Sequence, residues 1–473
     1  MMEWTYAPAP ESRETARLQQ HYRMFIDGKF TDGSGEPLTT INPATGEVLA
    51  EVSAAGRAEV GTAVRAARRG YEKVWSRMPG AERAKYLFRI ARLVQERARE
   101  LAVLESLQTG TPIRQVRDVE VPAAAAHFFH HAGWADKLGY AGYGPDPRPL
   151  GVAGQILPAQ SPLLTAAWAI APALSCGNTV VVKPAETTPV TTLVLAEICQ
   201  QADLPPGVLN ILPGAGGIGA ALVTHDGLDK VTFTGSTEVG KQVQRALAGT
   251  GRRLTLALGG RTATIVFDDA PLDQAVDGIV SAAFCTTWPG SRLLVQEPIA
   301  EQVLTALRAR TAALRIGDPL DKNTDVGAMG SPGLLQRIRE LTDQAETDGA
   351  QRWSSPAALP DRGFFFPPTL FSDVSQAMRI AREEIIGPVL PVLTFRTPDE
   401  AAALANNTPA GLAASIWTEK GSRVLGTAQR MRAGVVWANT AHRFDPTAPV
   451  GGYRESGLGR AGGRAGLAEY LDV

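Results

Sequence analysis

Apolar residues recur along this chain at two different periods, and the architecture is expected to change where the period changes. Residues 25–30, FIDGKF, read as a β-hairpin, because Asp27-Gly28 supplies the positive-φ pair that a tight hairpin turn needs. Helical spacing follows. Val60, Val64, Ala67, Tyr71 and Val74 mark one helix, and Leu87, Ile90, Val94, Ala98 and Leu101 mark a second. From Gly151 onward, short apolar strands at 151–157, 179–182, 208–212 and 230–233 alternate with amphipathic helices, the pattern of a parallel sheet with crossover helices. A helix opening at Ser236 is expected to gather Val239, Val243, Ala246 and Leu247 on one face. Beyond Arg292, helices at 299–314, 334–345 and 399–405 and strands at Val389–Phe395, Ala413–Trp417 and Val435–Ala438 suffice for a second α/β domain.

Bulk properties narrow the function classes. At 473 residues the chain is too long for one compact core and calls for two large domains. A formal net charge of −1 with 20% charged residues offers no electrostatic case for nucleic acid or an anionic membrane. The most apolar run, residues 163–174, is too short to span a bilayer and contains Pro172, and the N-terminal residues lack the pattern of a signal peptide. A cytoplasmic location is expected. The three cysteines, Cys176, Cys199 and Cys285, show neither pairing nor metal-type spacing, and the six histidines are scattered.

Candidate chemistry falls at the carboxyl ends of the predicted strands, where open α/β sheets bind ligands. Lys183 and Glu186 follow TVVV directly, and Gly235-Ser236-Thr237 follows VTF. The free N–H groups at the start of the Ser236 helix suit a pyrophosphate. Gly214, Gly216 and Gly219 also spell G-x-G-x-x-G, which is either a phosphate cradle or only a glycine-rich turn. Residues 451–460, GGYRESGLGR, read as a surface loop.

In order along the chain, GQILPAQSP, KPAE, FTGSTEVG, LALGG, GSR, EEIIGP and GGYRESGLGR resemble the motif series of the aldehyde dehydrogenase superfamily, from about Phe25 to the end. The resemblance implies an α/β, aldehyde dehydrogenase-like fold: a Rossmann-type NAD(P)-binding domain (1–133 and 151–256), a catalytic-type α/β domain (257–442), and a truncated oligomerisation hairpin drawn from 134–150 and 443–473. It also implies cofactor positions. Lys183 and Glu186 match residues that hold the adenosine ribose, and Glu384 matches the carboxylate on the nicotinamide ribose. Ile156, Pro158, Gly216, Phe233, Gly235, Ser236, Val239 and Leu258 match positions along the rest of the dinucleotide. Glu186 would accept from both ribose hydroxyls and repel a 2′-phosphate, so NAD is favoured over NADP. The bland alternative is that Lys183 and Glu186 only pair with each other.

The reactive positions of the family are substituted. Thr287 stands at the nucleophilic cysteine, Ala257 at the general-base glutamate and Gln160 at the oxyanion asparagine. A hydroxyl without a dedicated base is a weak nucleophile, and alanine transfers no proton. Gln160 keeps an amide donor, but on a longer side chain. The loop before Thr287 is shorter than usual in the family. Cys285 beside it reads as a buried structural thiol, a shifted nucleophile or a chance residue. Trp288 and Pro289 stand where the family has small residues, with Trp288 either filling the reaction space or packing inward near Phe284. The stretch GYAGYGPDPRPLG makes a poor strand, and the sequence stops at Leu471-Asp472-Val473, so both parts of the family's dimer clasp read as cut back.

Three functions are compatible with this pattern. One is a pseudoenzyme subunit that partners a catalytic aldehyde dehydrogenase paralogue. Another is an active NAD-dependent aldehyde oxidoreductase that uses Cys285, and the third is an NAD-binding sensor without turnover.

Overall fold

The computed structural model describes residues 7–144, 146–285 and 292–473. The hairpin forms where its turn predicts. Strands β1 (Met24–Ile26) and β2 (Lys29–Thr31) meet across Asp27 and Gly28, both at positive φ, 52° and 78°. Helix α1 (Arg57–Gly70) buries the predicted apolar stripe. The second expected helix is two: α2 (Gly80–Glu96) and α3 (Ala98–Thr109) are separated at Arg97. Arg97 donates to Glu100 at 2.9 Å and to Glu197 at 3.1 Å, and the apolar spacing runs through the break, which hides it from a reading of periodicity.

The first large sheet carries the nucleotide-type signature. Its parallel strands are β3 (Val152–Ile156), β4 (Thr179–Lys183), β5 (Leu209–Ile211), β6 (Lys230–Gly235) and β7 (Arg253–Leu258). They lie in the order β7-β6-β3-β4-β5, followed by β1 and β2. From β3 the chain runs outward one way to β5, then returns to the other side of β3 for β6 and β7. That reversal opens a crevice between the carboxyl ends of β3 and β6.

The second sheet comprises β8 (Ala263–Val266), β9 (Arg292–Gln296), β10 (Gln351–Ser354), β11 (Thr369–Ser372), β12 (Val389–Phe395), β13 (Ala413–Trp417) and β14 (Val435–Ala438). Its order is β10-β11-β12-β9-β8-β13-β14, with only the β10–β11 pair antiparallel. Only residues 259–262 separate β7 of the first sheet from β8 of the second. Each sheet buries its own apolar layers, and β4 and β13 are buried at every residue, as parallel strands covered on both faces must be.

Two further expectations are corrected. Residues 451–460 are not a plain surface loop: Gly451, Gly452 and Ser456 are buried, and β15 (Gly457–Leu458) extends the first sheet antiparallel to β7. Ser456 fastens this segment, accepting from the Gly411 N–H at 2.9 Å and donating to the Gly259 carbonyl at 2.8 Å. The stretch read as a poor strand does contribute one short strand, Arg148–Pro149, which pairs antiparallel with Leu471–Asp472 of the same chain. No helix among the described residues is long and apolar enough to cross a membrane.

Candidate active site

Parallel register brings the cofactor candidates into one row across the crevice. Lys183 pairs with Ile156, Ile156 with Phe233, and two residues beyond Phe233 Gly235 pairs with Leu258. After β3 comes Pro158, then helix α4 (Pro162–Ser175). After β5, helix α5 (Gly216–Val223) opens on the glycine-rich turn, and Gly216 and Gly217 have nothing within 4 Å of where a Cβ would stand. Gly219 packs α5 over the strand ends, where a Cβ would stand in ordinary contact with Ile156 at 3.5 Å. After β6, Ser236 caps α6 (Thr237–Leu247) and accepts the Val239 N–H at 3.4 Å.

The face of α6 is turned from the one expected. Gly240, Val243 and Leu247 are buried, whereas Val239 is 41% exposed and Ala246 is also exposed. Gly240 takes the inward place because the Leu258 side chain fills it: a Cβ there would stand 2.4 Å from Leu258.

Lys183 and Glu186 do not form the ion pair of the bland reading. Lys183 is buried and its ammonium has no hydrogen-bond or ion-pair partner among the described residues, while Glu186 is exposed. Burial lowers the Lys183 pKa, and Glu186 opposes that shift only through space. An ammonium held this way can donate to a ligand. Across the crevice, Glu384 accepts the Gly260 N–H at 3.1 Å, and its pKa is raised by burial against the opposing charge of Arg261. The glycine pair of LALGG has a steric reason, because a Cβ on Gly259 would fall 2.1 Å from a Glu384 oxygen and one on Gly260 2.4 Å from Leu412.

Between the two sheets lies a cavity of about 260 Å³. Ala257 of β7 lines it, as do Gln160, Gly235, Ser236, Leu258 and Glu384. Gln160 also lines a smaller cavity of about 180 Å³, and Cys285 lines only that smaller one. The Gln160 loop is held by a buried acid. Ser161 takes a left-handed conformation, φ 43°, and the Leu163 N–H donates to Glu105 at 3.1 Å. Burial, reinforced by Glu120, pushes the Glu105 carboxyl up to about 8.

Cys285 ends helix α7 (Leu272–Phe284), its N–H donating to the Ser281 carbonyl at 3.1 Å. Burial, with Asp325 adding to it, pushes its thiol up to about 12, so it is not a thiolate at neutral pH. Thr287, Trp288 and Pro289 lie outside the described residues.

Sequence reasoning missed one polar group of the larger cavity. Glu469, just before the last short strand, lines it with Thr255, Tyr470 and Arg460. Lys230, its side chain 1% exposed, donates to the Thr255 hydroxyl at 2.6 Å, and that hydroxyl donates to Glu469 at 2.5 Å. The available signal was an ionisable residue, Lys230, opening a strand with no other charged residue.

The chain belongs to the aldehyde dehydrogenase family, whose model matches residues 30–473. It is 41% identical to retinal dehydrogenase 2 of Gallus gallus over 473 residues, covering 96% of this chain and 91% of that protein. It is 38% identical to betaine aldehyde dehydrogenase of Bacillus subtilis over 472 residues, covering 95% and 96%. Among solved structures, it superposes on an NAD-dependent aldehyde dehydrogenase from Sinorhizobium meliloti with a TM-score of 0.93 at 38% identity, covering 98% and 96% of the two chains. It also matches the NAD+ complex of an aldehyde dehydrogenase from Bacillus cereus, with a TM-score of 0.93 at 36% identity and 98% of each chain covered.

Proposed function

We propose that this chain binds NAD, favoured over NADP, and is a catalytically impaired subunit that partners an active aldehyde dehydrogenase paralogue. NAD fits the residues present. The Lys183 ammonium is buried without a hydrogen-bond or ion-pair partner among the described residues, the α6 N-terminus is capped by Ser236, Gly216 faces open space and Glu384 is held by a backbone N–H. Lys183 and Glu186 would hold one ribose, the first turn of α6 the pyrophosphate, and Glu384 the second ribose. When bound, NAD would supply a hydride acceptor. The NAD+ complex of the Bacillus cereus relative supports this reading.

One observation carries the impairment: the cavity wall at the general-base position is Ala257, while the surviving neighbourhood thiol, Cys285, lines a different cavity in its protonated form. Without a thiolate no thioester forms, and without a carboxylate at position 257 no base there activates water. The same placement of Cys285 counts against its use as a shifted nucleophile.

The test pairs calorimetry with spectrophotometry. NAD is expected to bind the purified chain, while aldehydes, including retinal and betaine aldehyde, yield NADH no faster than the background. Turnover near ~1–10 s⁻¹, ordinary for enzymes, would refute the proposal. Purification from the native host is expected to bring down a second, intact member of the family; a chain that purifies only with itself removes the partnership.

A further inference from the structure

The histidines are not all scattered, as the sequence suggested. His127, His130 and His131 share the last turns of the helix Val121–Ala132, which packs against α2 and α4. His127 stacks on two rings, Trp168 of α4 at 5.2 Å and His131 at 6.0 Å between centres. His130 meets His131 edge-on at 5.0 Å. The four rings make one row of contacts, in which His127 and His131 are buried, 3% and 0% exposed, and His130 is half-buried.

Hydrogen bonding makes the row a neutral one. His131 Nδ1 donates to the His127 carbonyl at 2.8 Å, so Nε2 of the neutral ring carries the lone pair, and that atom is buried with no partner. A proton taken there would be a buried donor without an acceptor as well as a buried charge. His127 Nδ1 and His130 Nε2 are likewise buried without partners.

The elements packed around the row offer little to offset a charge. Helix α4 has no ionisable residue. On α2, Lys85 pairs with Glu82, Arg89 faces Asp203 and Arg83 donates to the Met78 and Ser175 carbonyls, while Arg92 and Glu96 are exposed. On α3, Arg99 pairs with Glu11, Glu100 with Arg97, and Glu105 accepts from Leu163 and Thr191. In the turn before the helix, Arg117 pairs with Asp118 and Glu120 acts on Glu105. From the C-terminal segment Asp445 favours charge on His127 and His130, and it accepts from the Thr447 N–H and hydroxyl. Burial prevails, holding His127 down to about 3 and His131 down to about 4, and the charge of a neighbouring histidine adds to both shifts. The negative end of the helix favours a charged ring by less than burial opposes it.

We propose that this row is an acid-sensitive latch: with its rings neutral it seats the end of the helix Val121–Ala132 against Trp168, and mild acid, by protonating them, frees that end from α4 while both sheets stay folded. The following segment allows the movement. Among the described residues of 133–147 there is one short turn of helix, Leu138–Tyr140, so the end moves without displacing a strand. The sign follows from the two states. A freed histidine titrates near its ordinary 6.5 and a seated one only well below it, so acid favours the freed form. From pH 7 to pH 5 the opening equilibrium rises about 25-fold for each of His127 and His131, or about 500-fold together. The latch goes beyond the NAD-binding reading and stands whether or not aldehydes are turned over.

The test is hydrogen exchange read by mass spectrometry on the full chain at pH 7 and pH 5, with labelling times scaled for the slower intrinsic exchange in acid. Peptides covering residues 127–132 are expected to lose protection about 500-fold at pH 5, while those covering β4 and β13 keep theirs. The double variant His127→Phe/His131→Phe keeps two stacked rings without a titrating nitrogen and is expected to lose the pH response. Should it fail to fold, His131→Gln decides: its amide can still donate to the His127 carbonyl, and the response is expected to shrink about 20-fold. Unchanged protection of residues 127–132 at pH 5 overturns the proposal. So does an equal loss across both sheets, which is ordinary acid unfolding, or a wild-type response in the variant that folds.

Discussion

Alkylation kinetics test the state of Cys285 directly. The perturbation is iodoacetamide at pH 8, with peptide mass mapping to follow each cysteine separately. Burial carries the Cys285 thiol from an ordinary 9.0 up to about 12, so its thiolate population falls about 10³-fold. A more basic thiolate is a better nucleophile. With a Brønsted coefficient of about 0.4–0.5, some 15- to 30-fold of that loss returns, leaving native Cys285 roughly 30- to 60-fold slower than the same cysteine in the unfolded chain. Restricted access slows it further. Cys176, fully enclosed and also pushed up to about 12, provides an internal reference for a thiol with no catalytic task. Alkylation of Cys285 at or above the unfolded rate would show an activated thiolate, and with it the argument against a shifted nucleophile would fall.

Two further perturbations address the scaffold around the cavity. Glu105 has its carboxyl raised to about 8 in the fold, so the unfolded chain releases its proton first and stability falls as pH rises from about 4.5 to 8. The ceiling is about 5 kcal/mol, reduced by coupling to Glu120; Glu105→Gln, measured by urea unfolding across that window, is expected to flatten the slope, and an unchanged slope would mean the acid is not the cause. Gly259→Ala drives a methyl into the Glu384 carboxylate, which sits 2.1 Å from the Cβ position. Its effect is expected in NAD affinity, weakened about as far as by Glu384→Ala, with a small change in thermal midpoint; an intact affinity would remove Glu384 from the cofactor site.

What the sequence disclosed follows from what local patterning encodes. Strands at Val389–Phe395, Ala413–Trp417 and Val435–Ala438 were legible to the residue: the first two, nearly or wholly buried, read as short apolar runs, and the third, a half-buried edge strand, reads the same way because VVWA is apolar throughout. The break at Arg97 was not, since it is set by ion pairs to Glu100 and Glu197, one local and one distant, and the apolar spacing continues across it. The inward face of α6 was misread because it depends on which partner fills the gap: Leu258 supplies the bulk that Gly240 lacks. Candidate residues such as Lys183 and Ser236 were chosen from position alone, and the structure places both at the carboxyl ends of parallel strands. Lys230 signalled that a buried counter-charge is needed but not that Glu469 supplies it, since only tertiary folding brings the tail of the chain against Thr255 and Lys230.

The cluster around Lys230 reads as a structural charge. A buried ammonium needs compensation, because desolvating it costs several kcal/mol, and Glu469 with Thr255 supplies that compensation. Lys230 is sealed, with 1% of its side chain exposed, while Glu469 keeps 18% open. That asymmetry lowers the cost of the pair, since a carboxylate that stays partly solvated gives up less hydration than one sealed with its partner.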